Sequence, residues 1–333
     1  MKPTILIDAN NLVFRAHFGH RELKTEDGRP TSVLFGFTTM LLDVWKTVGS
    51  TDTIVVWDRA VPGMAPMVSL PEKVDLWRKK LAPETYKANR TPNPDIVSAL
   101  VQLPALSKLL RHMGVPQIAC PTLEADDLIG LLCERLRKDR KVSNVFIYST
   151  DRDMYQLVDE KKVRVLAPSK GPMEILDWEK VRSRAGVPPE MYAGMKAMAG
   201  DPSDNIAGLK GVGPKTATTY LMDGLDPAVL NFRELPSNVR KKYAQFEEQW
   251  GYIHRCYELT YIPRTTTFRY FCDVVQQELP RVLDLAVKRR CRPMRRDRVA
   301  IKQRRLLCLF ADYELNYFLA KRNEFFRDVT LID

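Results

Sequence analysis

The chain has 333 residues, of which 45% are hydrophobic, and a formal net charge of +11 at pH 7. This length predicts two domains, or one large domain with an appendage, around a substantial core. No run of ~18 apolar residues is present and an acidic residue comes within the first eight, so the sequence predicts neither a transmembrane helix nor a signal peptide. The six scattered cysteines form no CxxC pair. They favour reduced thiols in a cytoplasmic protein over a disulfide framework or a zinc site.

The first half of the chain alternates short apolar runs with longer amphipathic stretches. Strands are predicted at Thr4–Ile7, Thr53–Trp57, Val145–Tyr148 and Val163–Leu166, with a short apolar run at Val115–Ala119. Helices are predicted at Ser32–Val48, Val97–Met113 and Ala125–Lys138. This alternation predicts an α/β fold with a mostly parallel central sheet flanked by helices.

An insertion interrupts the alternation between Val61 and Pro94. It holds five prolines before Pro94, several Lys and Arg residues, and the aromatic residues Trp77 and Tyr86. An insertion of this length is usually functional or disordered. Basic residues beside aromatic ones favour contact with a single nucleic-acid strand over pure disorder.

The part of the chain after Pro188 is predicted to be mainly helical, with helices around Arg240–Leu259 and Arg298–Leu319. We therefore divide the chain into an α/β domain at 1–185 and a helical region at 186–333. Ten Lys or Arg residues lie between Lys288 and Arg305 against one Asp, a net of +9, so the other 315 residues carry only +2. Such a segment is either a phosphate-binding surface or a solvated helix face.

Nine acidic residues come where strands end or helices begin. They are Asp8, Asp58, Glu124, Asp126, Asp127, Asp151, Asp153, Asp201 and Asp204. Any one of them could be a turn former or a helix cap. However, the carboxyl ends of parallel strands meet at one sheet edge, and like charges gathered there repel unless a cation lies among them. Carboxylate oxygen ligands favour Mg²⁺ or Mn²⁺. The excess of Lys and Arg over the rest of the chain favours a polyanionic substrate. Our hypothesis is metal-dependent phosphodiester cleavage.

A glycine-rich stretch at 208–217 is the sharpest local motif. It is not a P-loop, because Pro214 separates Gly213 from Lys215, and it lacks the third glycine of a dinucleotide fingerprint, because position 216 is Thr. A helix–hairpin–helix remains, in which free amides at a helix start hold a DNA phosphate without reading bases. The alternative is a plain connection between helices. The expected contacts are Lys210, Gly211, Gly213, Lys215 and Thr216.

Seven short sequence motifs, followed by the hairpin, occur in a fixed order over residues 1–223. The motifs are Ile-Leu-Ile-Asp8-Ala-Asn-Asn, Asp27-Gly-Arg-Pro-Thr, Phe35-Gly-Phe, Tyr86-Lys-Ala-Asn-Arg90, Glu124-Ala-Asp-Asp127, Thr150-Asp-Arg-Asp153 and Gly200-Asp-Pro-Ser-Asp-Asn205. In these motifs the chain resembles the 5′ nuclease (flap endonuclease) superfamily. The similarity is to the 5′→3′ exonuclease domain of bacterial DNA polymerase I and to stand-alone phage and bacterial 5′→3′ exonucleases.

The resemblance implies a PIN-like nuclease fold, a helical arch at 61–94 and two Mg²⁺ ions, for which Mn²⁺ can substitute. One ion would be surrounded by Asp8, Asp58, Glu124 and Asp126, and the other by Asp127, Asp151, Asp153, Asp201 and Asp204. Lys87 would contact the scissile phosphate with support from Arg90, and Arg78, Lys79 and Tyr86 would contact DNA on the same wall. The hairpin would bind duplex, often with K⁺.

The chain departs from the family in two places. Thr150 stands where the family usually has Gly, so a different local turn is expected because β-branched residues tolerate positive φ poorly. The segment after Met222 matches little of the family. Its basic run is our own inference for an extended duplex-binding surface. The contacts expected from it are Arg289, Arg290, Arg295 and Arg296.

The leading hypothesis is thus a structure-specific 5′ nuclease in replication or repair, acting on DNA with 5′ flaps, nicks or free 5′ ends. Two alternatives stay open: a non-catalytic DNA-binding relative, and a nuclease directed at RNA or RNA–DNA hybrids. A monomer without membrane contact is expected, with a polymerase as a partner in trans.

Overall fold

The computed structural model describes residues 1–62, 64, 76–89, 94–168, 172–290, 296–322 and 324, with the backbone alone at 94 and 296–302. Part of the predicted arch, including Arg90, lies outside these residues, as does Arg295. The described sheet has six strands: β1 (Lys2–Asp8), β2 (Thr53–Trp57), β3 (Gln117–Ala119), β4 (Val142–Tyr148), β5 (Val163–Ala167) and β6 (Glu174–Leu176). Their order is β3–β2–β1–β4–β5–β6, and all pairs are parallel except β5 with β6. The predicted α/β class with a mostly parallel sheet is confirmed.

Helices cover both faces of the sheet and predominate in the described part of the chain after β6. They are α1 (Ala9–Gly19), α2 (Ser32–Val48), α3 (Trp77–Leu81), α4 (Pro94–Leu100), α5 (Leu103–Met113), α6 (Ala125–Lys138), α7 (Trp178–Ala185), α8 (Tyr192–Ala199), α9 (Pro214–Met222), α10 (Ser237–Lys242), α11 (Trp250–Thr260), α12 (Asp273–Arg289), α13 (Arg296–Asp312) and α14 (Asn316–Ala320). Within the described part of the chain, no helix has the length and apolar character needed to cross a membrane.

Two apolar layers hold the sheet between the helices. Successive strand residues point to opposite faces. Accordingly, Leu6 packs in the core beneath α6 and α12, whereas Ile5 and Ile7 pack in the core formed with α1, α2, α5 and α13. Because both faces are covered, the central strands contain continuous apolar runs, such as 5–7 in β1 and 145–148 in β4, and these runs made the strands predictable from the sequence.

The chain changes direction between β1 and β4. From β1 the sheet grows outward to β2 and β3 on one side, and β4 then pairs with the other side of β1. In an open parallel sheet the crevice beyond such a switch point receives the ligand. Asp8 is the last residue of β1, and Asp58 and Asp151 follow β2 and β4. The fold therefore delivers three acids to this crevice.

Three predicted helices are each divided in two. The stretch Val97–Met113 contains α4 and α5, because Pro104 lies in the first turn of α5 and Gln102 stands before it as the helix cap. The Gln102 amide accepts a hydrogen bond from the Val33 backbone (2.8 Å). Arg240–Leu259 similarly spans the end of α10 and most of α11, and Arg298–Leu319 spans α13 and α14.

The last helices wrap around the α/β layer. Helix α12 packs in the core beside α6, and α13 and α14 pack on the opposite face, where Phe310 and Phe318 are buried. The Phe318 ring lies 5.6 Å from that of Phe35 in α2. Between the two faces, Arg290 passes beneath the amino end of the sheet. Its guanidinium is 3.1 Å from Asp52 and 2.9 Å from Asp139.

Candidate active site

Asp8 is a buried acid at the carboxyl end of β1. Its carboxylate caps α1 by accepting from the Asn11 backbone (3.3 Å), and it accepts a hydrogen bond from Ser149 at the end of β4 (2.8 Å). Burial, with the nearby charges of Asp58 and Asp151, raises the pKa of Asp8 to about 7. A raised pKa means that the ionised form is unfavourable until a cation compensates it.

The acidic motif 124–127 forms the start of α6. Glu124 is the N-cap, and its backbone N–H donates to the Asp127 carboxylate (3.1 Å), which closes a capping box. The Ala125 backbone donates to Asp58 (2.9 Å). The motif is thereby fixed to the end of β2. One helix start thus brings three acids beside the strand-end acids.

Lys87 is paired with acids from two parts of the chain. Its Nζ lies 2.5 Å from Glu124 and 3.7 Å from Asp204. Burial alone would raise the pKa of Glu124, but Arg78 and Lys87 together lower it to about 2. Glu124 is therefore ionised at neutral pH, and the ammonium of Lys87 lies at the acidic edge.

A second lysine is paired with the remaining acids. One carboxylate oxygen from each of Asp153, Asp201 and Asp204 lies within 4.8 Å of the others. Lys196, in α8, contacts Asp153, and its Nζ is 2.5 Å from Asp201. Burial raises the pKa of Asp153 to about 6 despite this lysine. Asp151 is exposed at the same edge and accepts from the Asp153 backbone (2.9 Å).

This donor set fits divalent metal ions. The groups are carboxylates, the ligands that Mg²⁺ and Mn²⁺ prefer. Burial raises the pKa values of four of the acids, Asp8, Asp126, Asp127 and Asp153, and two lysine ammonium groups are placed at this edge as internal cations. All nine predicted acids lie at this edge of the sheet, although Asp127 differs from the rest in being completely buried.

Two residues expected to contact DNA are placed elsewhere. The Arg78 side chain is 2% exposed and points inward to the acidic motif, so it presents no surface to DNA. Tyr86 is also buried, and its hydroxyl donates to Glu124 (2.7 Å). The basic-aromatic pattern of the insertion did not distinguish these inward-facing residues from Lys79, which is exposed.

Thr150 is accommodated without the strained turn that its β-branched side chain suggested. It is not among the described residues with positive φ. Its hydroxyl and backbone N–H both donate to the Asn11 side chain (2.7 and 2.9 Å). The departure from glycine therefore adds a contact between the end of β4 and α1.

The glycine hairpin connects α8 to α9 and is open to solvent. Lys210, Gly211, Gly213 and Lys215 are exposed and Thr216 is half-buried. Gly211 has φ +77°, which an L-residue rarely adopts. Pro214 begins α9, so the amides of its first turn face outward from a helix start.

The C-terminal basic residues that were expected to contact DNA differ in their exposure to solvent. Arg289 is exposed at the end of α12. Arg290 is buried at the amino end of the sheet, opposite the acidic edge, so the expectation that it contacts DNA does not fit its position. Its ion pairs with Asp52 and Asp139 explain why it is buried. The Arg296 side chain, like Arg295, lies outside the described residues.

Sequence reasoning missed Lys196 and the cleft beside the acids. An open cleft of about 690 Å³ between α1 and α2 is lined by residues that include Asn11, Arg15 and Thr150. Arg15 is exposed and lies seven residues after Asp8, about two helical turns along. No sequence signal pointed to Lys196, because only the packing of α8 brings it to Asp153.

Comparisons with known proteins agree with this architecture. The family model described as 5′-3′ exonuclease, N-terminal resolvase-like domain, matches residues 3–186. The model described as 5′-3′ exonuclease, C-terminal SAM fold, matches residues 187–279. The chain belongs to the 5′-3′ exonuclease family.

Individual relatives place the chain within this family. It is 34% identical over 221 residues to a 5′-3′ exonuclease of Aquifex aeolicus, covering 66% of this chain and 69% of the relative. It is 33% identical over 241 residues to the thermostable DNA polymerase I of Thermus thermophilus, covering 72% of this chain and 26% of the polymerase. The chain thus corresponds to about a quarter of that polymerase's length.

A solved structure shares the fold at lower identity. It is a bacteriophage T5 flap endonuclease, a pseudo-enzyme–product complex with DNA and metal ions. The TM-score is 0.63 at 20% identity, covering 86% of this chain and 99% of that one.

Proposed function

We propose that the chain is a structure-specific 5′ nuclease that hydrolyses DNA phosphodiesters at 5′ flaps, nicks or free 5′ ends, in replication or repair. The observation that carries this proposal is the convergence of acids from three strand ends and two helix-flanking loops on one sheet edge, beside Lys87. Membership of the 5′-3′ exonuclease family and the T5 complex with DNA and metal ions support the reaction class.

Two Mg²⁺ ions, or Mn²⁺ in their place, are the proposed cofactors. Asp8, Asp58, Glu124 and Asp126 would hold one ion, and Asp151, Asp153, Asp201 and Asp204 the other. When bound, paired ions of this kind stabilise the attacking and leaving oxygens of an in-line displacement. The acids of this chain contribute by orientation, since Ser149, Asn11 and the helix caps restrain Asp8, Asp58 and Glu124 before any ligand enters.

Lys87 is proposed to bind the scissile phosphate. Its ammonium already lies at the acidic edge, where it offsets the charge of Glu124. A cation in this position stabilises negative charge that develops on phosphate in the transition state. Arg90 is proposed to assist it on the basis of the sequence alone.

The hairpin is proposed to bind duplex DNA away from the scissile phosphodiester. Lys210 and Lys215 are exposed beside the open start of α9, and this arrangement suits a phosphate without base readout. K⁺ is proposed at the same turn. Backbone binding of this kind predicts recognition of DNA shape, with little dependence on sequence.

The test is a substrate panel with one labelled 5′ end. A 5′ flap, a nicked duplex, a 3′ flap and an RNA 5′ flap are incubated with the protein in Mg²⁺ and in EDTA. We expect Mg²⁺-dependent cleavage at the 5′ flap and the nick, and none at the 3′ flap. Faster cleavage of the RNA flap would favour the hybrid-directed alternative. Binding without cleavage in Mg²⁺ and Mn²⁺ would favour the non-catalytic one.

A further inference from the structure

Arg78 is a buried cation that contacts three parts of the chain at once. Its Nη1 lies 3.1 Å from Glu124 and its Nη2 lies 2.8 Å from Asp127. Its Nε and Nη2 donate to the backbone carbonyls of Leu259 and Tyr261, at 3.1 and 3.0 Å. The guanidinium therefore links the base of the insertion, the acidic motif and the end of α11.

Asp127 differs from its neighbours in the acidic motif. Its side chain is 0% exposed, against 12% for Glu124 and 22% for Asp126. One oxygen pairs with Arg78, and the other accepts from Trp77 Nε1 (2.9 Å) and from the Glu124 backbone (3.1 Å). Oδ1 makes an ion pair with Arg78 but no hydrogen bond, and the carboxylate is completely enclosed by protein, whereas Glu124 and Asp126 retain exposed surface at the edge.

The surroundings of Arg78 are also fixed. Its guanidinium lies 4.4 Å from the centre of the Trp77 ring, and Trp77 stacks on Tyr270 with the rings 13° from parallel. A planar guanidinium with five donors can satisfy two carbonyls and two carboxylates together, which a lysine ammonium cannot do in the same geometry.

We propose that Arg78 and Asp127 form a buried positioning pair that orients Glu124 and Asp126 for metal binding, and that Asp127 itself binds no metal. The inference rests on the proposed function for the role of Glu124 and Asp126. Within the acidic motif, Asp127 then has a structural role, and Glu124 and Asp126 are the metal ligands. Because Arg78 lies at the base of the arch, that base also helps to position the metal-binding edge.

The test compares thermal midpoints of the full chain in EDTA and in Ca²⁺. Asp127→Asn and Arg78→Gln are expected to lower the EDTA midpoint by about 5–15 °C, since the first removes a carboxylate from a buried guanidinium and the second leaves the buried Asp127 without its cation. Asp8→Asn is the matched ligand control, because it removes a repelled charge. It should keep or raise the EDTA midpoint and lose most of the Ca²⁺-induced rise. Asp127→Asn should keep that rise.

Two further variants keep the test decisive if a single change prevents folding. Arg78→Lys retains the charge and should give an intermediate EDTA midpoint. The double variant Arg78→Gln with Asp127→Asn should lose less than the sum of the two single losses, because the second change removes the orphaned charge. Additive losses would overturn the pair.

Cleavage assays then distinguish a role of Arg78 in positioning the metal ligands from a role in stability alone. At a temperature where all variants are folded, Arg78→Gln should raise the Mg²⁺ concentration for half-maximal single-turnover rate by roughly tenfold, with partial rescue in Arg78→Lys. An unchanged Mg²⁺ dependence would reduce the pair to a structural role. An Asp127→Asn variant with an unchanged EDTA midpoint and no Ca²⁺-induced rise would make Asp127 a ligand.

The failure of the proposed function would look different. In that case the wild-type chain would show no midpoint rise in Ca²⁺ and no Mg²⁺-dependent cleavage. The EDTA midpoints of the single and double variants would still measure whether Arg78 and Asp127 are coupled, and additive losses in the double variant would overturn the coupling.

Discussion

Lys87 adopts a backbone conformation that its side chain disfavours, with φ +56°. Such residues cost about 1–3 kcal/mol and persist where their surroundings hold them. Here the Lys87 backbone donates to the Asp204 carbonyl (3.0 Å), and the Asn205 side chain donates to the Thr85 carbonyl (2.7 Å). The arch base and the 201–205 loop are therefore docked together with Lys87 between them.

This position leads to a prediction for Lys87→Ala. Single-turnover cleavage of a 5′ flap should fall by about 100-fold while DNA affinity changes little, because the ammonium acts mainly on charge that develops in the transition state. Lys108→Ala, which changes an exposed lysine of α5, is the control and should cleave normally. If Lys87→Ala weakened binding alone, Lys87 would belong to the DNA-binding surface.

Asp8 leads to a prediction about pH. Its folded-state pKa of about 7 lies above the ordinary value of 3.8, so the folded state binds more protons and loses stability as pH rises from about 4 to 7. In EDTA, Asp8→Asn should flatten this fall and be more stable than the wild type at pH 8 by on the order of a few kcal/mol. Chemical denaturation at several pH values measures this.

An exposed acid provides the control for this measurement. Asp43→Asn, on α2, should leave the pH dependence as it is in the wild type. The interpretation of Asp8 fails if Asp8→Asn and Asp43→Asn have the same profile.

At the scale of elements, the hairpin is the part of the helical region best placed to bind duplex DNA. We predict that the double change Lys210→Ala with Lys215→Ala weakens duplex binding and reduces the slope of log affinity against log salt by about 2. Filter binding or fluorescence anisotropy at several salt concentrations measures this slope.

Two exposed lysines at the opposite end of the sheet make a matched control. Lys141 precedes β4 and Lys161 precedes β5, so both lie at the amino ends of the strands. The double change Lys141→Ala with Lys161→Ala removes the same charge and should leave the slope unchanged. Equal slopes for both double variants would remove the hairpin from the DNA interface.

Many elements were predictable because local pattern and burial agree. The bounds of α2, α6 and β2 were predicted as the structure has them, since each presents an uninterrupted apolar period between clear ends. The gap between α4 and α5 was missed because Pro104 was not treated as a helix start. β6 was missed because it is three residues long and antiparallel at the sheet edge.

The acids of the sheet edge could be predicted residue by residue, but the basic residues that pair with them, Arg78 and Lys196, could not. Strand ends and a helix start place acids by rules of topology that the sequence reveals. Arg78 and Lys196 take their roles from contacts with residues far away in the chain, such as Leu259, which is 181 positions from Arg78. The charge of Arg78 suggested a DNA-facing surface, and nothing in the sequence pointed to Lys196.

At the scale of the whole molecule, Arg290 joins the last helices to the sheet. It is buried with Asp52, Asp139 and Thr4 at the end of the sheet opposite the acids. We predict that Arg290→Met lowers the free energy of unfolding by about 3–5 kcal/mol, because the buried carboxylate of Asp52 and the half-buried carboxylate of Asp139 lose their cation. DNA affinity of the folded variant should be unchanged.

The neighbouring Arg289 provides the comparison for this prediction. It is exposed, so Arg289→Met should leave stability unchanged. Urea denaturation and DNA binding measured side by side distinguish the two residues. A stable Arg290→Met variant with weakened DNA binding would contradict the position of Arg290 in the fold.

The central claim is that the acidic edge is the centre of metal-dependent cleavage. The most direct measurement is single-turnover cleavage of a 5′-labelled flap in Mg²⁺ by the wild type and Asp151→Asn, with DNA affinity measured in Ca²⁺. We predict cleavage near the flap junction by the wild type, a loss of at least about 100-fold in Asp151→Asn, and nearly equal affinities. Undiminished cleavage by Asp151→Asn, or cleavage by the wild type in EDTA, would contradict the claim.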